Sequence, residues 1–179
     1  VFITPHFTDA ETVAGLPPGT TVPDALRPRV LATAALLERA RAVLGVPLVV
    51  TSWYRTPEHN AEVAGVSRSQ HLTGAAADVI AQGLLIGDAL DRFMAGVGRV
   101  SPFGQAIFYA DRGHIHLSTR DGTSAVDSVL VATDGPGGTM YAKAADPRAA
   151  GELPRGTVKP VAWSVLLVLL VFLFLSLIY

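Results

Sequence analysis

The 179-residue sequence contains no cysteine, which excludes disulfide cross-links, thiolate metal centres and cysteine nucleophiles. It also lacks an excess of charge of either sign, with 14 Lys and Arg against 15 Asp and Glu, for a formal net charge of -1. Phosphate-contacting proteins present a clearly basic surface, so no nucleic-acid partner is expected. The start, Val1-Phe2-Ile3-Thr4-Pro5, has no basic stretch leading into an apolar run, so no secretory signal is expected there. No internal repeat is visible.

Half of the residues are hydrophobic, enough for one compact domain of about 100–150 residues plus an appendage. The appendage is the only long apolar run, 161–179, which carries no charged residue and is dominated by Leu, Val and Phe. At a rise of about 1.5 Å per residue, a helix over this run spans roughly 28 Å, close to the hydrocarbon thickness of a bilayer. Trp163 and Tyr179 suit its two interfaces. The expectation is a transmembrane helix, with a helix packed in an oligomeric core of copies of this chain as the alternative.

Chemistry concentrates in two short segments, Ser69-Gln70-His71-Leu72-Thr73-Gly74-Ala75-Ala76-Ala77-Asp78 and Gly113-His114-Ile115-His116. They offer one carboxylate and a choice of imidazoles, and three such protein ligands suit a catalytic zinc, which keeps its fourth position open. Singly, each residue has an ordinary explanation: His71 as a loop cap, Asp78 as a buried structural carboxylate, Arg55 as a turn arginine. His59 and His6 read as solvent-facing or packing residues.

The order of these segments is more specific than either alone. Ser-x-His-x-x-Gly-x-Ala-x-Asp, preceded by Ser52-Trp53-Tyr54-Arg55-Thr56-Pro57-Glu58-His59-Asn60 and followed by His-x-His, resembles zinc peptidases of the M15 class. These are D-Ala-D-Ala carboxypeptidases, phage endolysins that cut peptidoglycan peptides, and the zinc fold shared with hedgehog domains. The resemblance covers roughly residues 5 to 120. It implies Zn2+ as cofactor, with His71, Asp78 and His116 as metal ligands. It further implies Arg55 as an anchor for a substrate carboxylate, and His114 as a polar group facing the reacting water or a developing oxyanion. Family members commonly carry an acidic general base three positions before the last ligand, where this chain has Gly113. Asp111, in the turn ahead of His114, is the nearest substitute, and its alternative reading is a turn former.

Local pattern gives the scaffold. An apolar stripe (Leu26, Val30, Ala34, Leu37, Leu44) predicts a helix over 25–44 that Gly45 ends. A β-branched run predicts a strand over 46–51, and Pro57 opens a short helix over 57–64. A loop over 67–74 then leads into a buried strand over 75–80 bearing Asp78. A helix over 84–97 precedes two paired strands, 105–109 and 114–119, joined by the turn Ala110-Asp111-Arg112-Gly113. Strand alternation puts His114 and His116 on one face. A strand over 126–133 could complete a sheet edge, and Pro and Gly beyond it read as linker.

The expected fold is α+β: a small, mainly antiparallel sheet with flanking helices, a zinc cleft and a C-terminal apolar helix. The expected division is a zinc peptidase domain over 1–122, a Pro/Gly-rich linker over 123–160 and the apolar helix over 161–179. The functional expectation is a zinc peptidase acting on peptidoglycan stem or cross-link peptides, phage-derived or virion-associated. Residues 161–179 would meet a membrane, other virion proteins or copies of the chain. Arg155 and Lys159 ahead of that run would by the positive-inside rule hold the domain in the cytoplasm, which conflicts with a wall substrate unless a particle delivers the protein from outside. The competing reading is a non-catalytic, zinc-containing wall-binding or tail component. A hedgehog-like signalling role finds no other support in the chain.

Overall fold

The computed structural model describes residues 1–120, 126–145 and Leu153. The expected apolar helix at 161–179 lies outside the described residues, and among those described no helix is long and apolar enough to cross a membrane.

Six strands form one sheet in the order β1-β2-β4-β3-β5-β6. They are β1 (Leu48–Ser52), β2 (Ala76–Ala81), β3 (Gln105–Tyr109), β4 (His114–Ser118), β5 (Ser128–Gly135) and β6 (Gly138–Lys143). The β3–β5 pair is parallel and the other pairs are antiparallel, so the sheet is mixed, though mainly antiparallel as expected. The helices are α1 (Arg27–Leu44), α2 (Pro57–Glu62), α3 (Ile86–Ala95) and the single turn α4 (Val97–Val100). Gly45 ends α1 at φ 71°, a left-handed conformation that glycine adopts without steric cost.

Alternation along the strands divides the sheet into two faces. Ala77 and Val79 of β2, Ala106 and Phe108 of β3, and Ile115 and Leu117 of β4 are fully buried. They join Leu36, Leu37, Leu90 and Phe93 from α1 and α3 in a single core. Each Val, Leu, Ile or Phe side chain among them contributes about 1.5–3 kcal/mol by leaving water. The opposite face carries Asp78, His114 and His116, while Gly74, in the turn ahead of β2, lets the backbone pass close to α1 on the core side. A Cβ at Gly74 (φ 68°) would stand 2.7 Å from Val30 Cγ2.

One sequence expectation is corrected here. Residues 128–143, read as a strand followed by linker, form two paired strands that lengthen the sheet. Pro136-Gly137 is the two-residue turn between Gly135 and Gly138, so Pro and Gly mark a hairpin at this point.

Candidate metal centre

Three elements converge to build the site. His71 lies in a 3-10 turn (Gln70–Thr73) that Gly74 closes at φ 68°. The Gly74 carbonyl accepts from Thr33 Oγ1 at 2.9 Å and from Trp53 Nε1 at 3.2 Å, tying this turn to α1 and to the segment after β1. Asp78 sits on β2 directly opposite His116 on β4, and Ser52 of β1 faces Asp78 from the other side.

His71 Nδ1 lies 2.6 Å from the Trp53 carbonyl. A carbonyl only accepts, so this nitrogen carries the proton, and Nε2 turns a lone pair towards the other two side chains. Burial, ahead of all other causes, lowers the His71 pKa and keeps the ring neutral. His71 Nε2 is 3.2 Å from His116 Nδ1 and 3.3 Å from Asp78 Oδ1, and His116 Nδ1 is 2.9 Å from Asp78 Oδ1. Burial pushes the Asp78 carboxyl up, but the neighbouring His116 and His71 rings outweigh it and hold the pKa well below the usual range.

These residues fit a metal on two counts. Donor atoms on a tetrahedral zinc with bonds of about 2.0–2.2 Å stand about 3.3–3.6 Å apart, and the three observed separations are at or slightly inside that value. A neutral imidazole lone pair and a carboxylate oxygen facing each other repel unless a proton or cation lies between them. Among the described residues this trio is the only His/Asp/Glu cluster that could hold an ion. His6 pairs instead with Glu38, and His59 with Glu62.

Arg55 fixes the carboxylate from behind. Its Nη2 donates to Asp78 Oδ2 at 2.6 Å and its Nε to Ser52 Oγ at 2.8 Å, which leaves Oδ1 for the ion. Such partners orient a ligand and tune its charge. The anchoring role expected of Arg55 thus falls first on Asp78, and the residue also lines the cleft.

The trio forms the floor of a cleft of about 840 Å³. His114 lines it, stacked on Tyr109 at 4.4 Å with 17° between the rings. Among the described residues no hydrogen bond occupies the His114 ring, and burial lowers its pKa. Asp111 does not line the cleft. Its Oδ2 accepts from the Asp134 backbone N–H at 2.7 Å, so the carboxylate is turned towards the end of β5. Sequence reasoning gave no role to Arg112, Thr139 or Tyr141, which also line the cleft. Arg112 is legible in the sequence only as part of the turn, and the other two follow a Pro-Gly pair whose composition suggests linker. Tyr109 faces His114 across the hairpin, and burial with the Tyr141 hydroxyl pushes its phenol well up.

The family model described as Peptidase M15 matches residues 6–118, more than half of the chain and inclusive of every residue of the trio. The chain belongs to the peptidase M15 family. Among curated proteins, none matches this chain. For an M15 peptidase, a His/Asp/His cluster at the floor of an open cleft is a zinc-compatible centre, and β5 and β6 lie beyond the matched span.

Proposed function

We propose that this M15 peptidase is a zinc-dependent hydrolase of peptidoglycan stem or cross-link peptides. The observation that carries the reading is the convergence of His71 Nε2, Asp78 Oδ1 and His116 Nδ1 within 3.3 Å at the cleft floor. Zinc, when bound, supplies a Lewis acid and lowers the pKa of water to about 7. The protein's own part is to hold three donors with the right protonation. The Trp53 carbonyl fixes the His71 tautomer and Arg55 fixes the Asp78 rotamer.

His114 is the group for proton and charge handling. Its ring is held by stacking on Tyr109, its lowered pKa leaves it neutral near pH 7, and its nitrogens are free among the described residues. A neutral imidazole both accepts a proton and donates a hydrogen bond to an oxygen that gains charge. Among the described residues, Asp78 is the only carboxylate that lines the cleft. Asp111 would serve as base only by leaving the Asp134 N–H, so His114 takes the role ahead of it. Arg55 presents its remaining N–H groups to a substrate carbonyl or carboxylate.

That shortage of a second carboxylate also favours one alternative, a wall-binding or structural particle component that keeps the zinc scaffold without turnover. In either reading the protein acts at the bacterial cell wall, brought there with a phage particle or held at a membrane by the apolar run 161–179. Incubation of the full chain with purified peptidoglycan, with and without a chelator, followed by mass analysis of released peptides, separates them. Chelator-sensitive release with new peptide termini supports the peptidase. No release from a chain that holds one zinc supports the binding component.

A further inference from the structure

Strand pairing lays out rows of residues across the cleft face of the sheet. One row runs His114, Tyr109, Ala132, Tyr141 across β4, β3, β5 and β6. Two strand spacings separate the Tyr109 and Tyr141 backbones by about 9–10 Å, yet their ring centroids are 6.4 Å apart at 82°. Ala132 between them has no bulk to keep them apart, so the rings lean together and their hydroxyls meet at 3.5 Å. The Arg112 guanidinium lies 5.3 Å from the Tyr109 ring centre and is held by Asp134 and Thr139 Oγ1, both on the same hairpin. Tyr141 is 54% exposed although a tyrosine ring gains by burial, and it opens into the cleft that holds the metal cluster.

We propose that Tyr141, supplied by the β5–β6 hairpin outside the family-matched span, is a specificity-determining residue that binds the part of a peptide substrate running from the metal cluster towards β6. The proposal rests on the peptidase reading and adds to it a second contact region. The paired hydroxyls offer donors and acceptors to backbone amides, and the exposed ring offers an apolar surface to the adjoining side chain. The hydroxyl pair stands between one and three strand spacings from β4, about 5–14 Å, which an extended peptide covers in about two to four residues. Short peptides therefore miss Tyr141 and longer ones reach it.

The test compares a five-residue stem peptide with its terminal dipeptide on the full-length, zinc-loaded chain, as KM, or as Kd where a peptide is not hydrolysed. Tyr141→Ala is expected to reduce the preference for the longer peptide by about fivefold to tenfold, the effect of losing one or two hydrogen bonds and a ring contact. Met140→Ala, on the opposite face of the same exposed strand, controls for disturbance of the hairpin and is expected to leave the preference unchanged. An unchanged preference in Tyr141→Ala, or an equal fall in Met140→Ala, overturns the proposal. Binding that shows the expected pattern without hydrolysis overturns only the peptidase reading, and a parent chain that binds neither peptide overturns both.

Discussion

Removal of the Arg55 side chain separates its effect on the metal-free site from its effect on the occupied one. Arg55 Nη2 lies 2.6 Å from Asp78 Oδ2, with the two side chains 15% and 12% exposed. Arg55→Ala leaves this nearly buried carboxylate without its cation, a change that typically costs 3–5 kcal/mol. Asp78 Oδ1 keeps its contacts to His116 and His71, which places the expected loss in the metal-free chain at the low end, about 3 kcal/mol. With zinc on Oδ1 the carboxylate is already compensated, and the loss reduces to one hydrogen bond to a charged group, about 1.5 kcal/mol. Zinc should therefore stabilise the variant by about 1.5 kcal/mol more than the parent, or roughly 5 °C of extra Tm shift for a domain of this size. Urea unfolding of both proteins in zinc and in chelator measures all four free energies. Equal losses with and without zinc, or a loss under about 1 kcal/mol in chelator, would refute the reasoning that Arg55 acts through Asp78.

Asp78→Asn should abolish stoichiometric zinc binding, because it exchanges an anionic ligand for a neutral one, and metal analysis after dialysis reads this directly. The glycines flanking the site differ in what a methyl group would meet. Gly113→Ala adds only backbone strain at φ 66° with nothing within 4 Å, so a loss of about 1 kcal/mol is expected. Gly74→Ala adds a clash with Val30 and should lose at least about 2 kcal/mol more than that; thermal melts of the two variants give the order. Acid sensitivity should trace in part to Asp127, which accepts from the Phe103 N–H, Ser101 Oγ and Arg120. Burial pushes its pKa up, but these hydrogen bonds prevail and lower it. Its contribution is then present above the unfolded value of about 3.9 and lost as pH falls through the lower folded value. Asp127→Asn should accordingly lower Tm at pH 7, with an effect that shrinks as pH falls through the lowered folded value.

How much could be read from sequence depended on whether the signal was local. Helix α1 and strands β1 to β4 follow from apolar periodicity and from Gly45, and the structure departs from the expected bounds by a few residues. His71, Asp78 and His116 could be named because the ordered motifs that carry them resemble those of the M15 peptidases, and alternation put His114 and His116 on one face. The position of Asp111 was not legible, since its carboxylate answers to the Asp134 amide, a contact across 23 residues. Nor was the commitment of Arg55 to Asp78, which needs the β1–β2 register. The β5–β6 hairpin was obscured because Asp134-Gly135-Pro136-Gly137-Gly138 was weighed by composition. The Pro-Gly pair is a turn signal, and the alternation of Thr139, Met140 and Tyr141 after it marks a half-exposed strand. Tyr141 therefore entered the cleft from a segment with no expected structure.

The most direct test of the account measures zinc content and peptide release on the same preparations of the full chain and of Asp78→Asn. The account predicts one zinc per parent chain with release of peptidoglycan peptides, and neither in a variant whose circular dichroism shows the fold retained. A folded parent that releases peptides without zinc, or a variant that loses zinc and keeps full release, would contradict it.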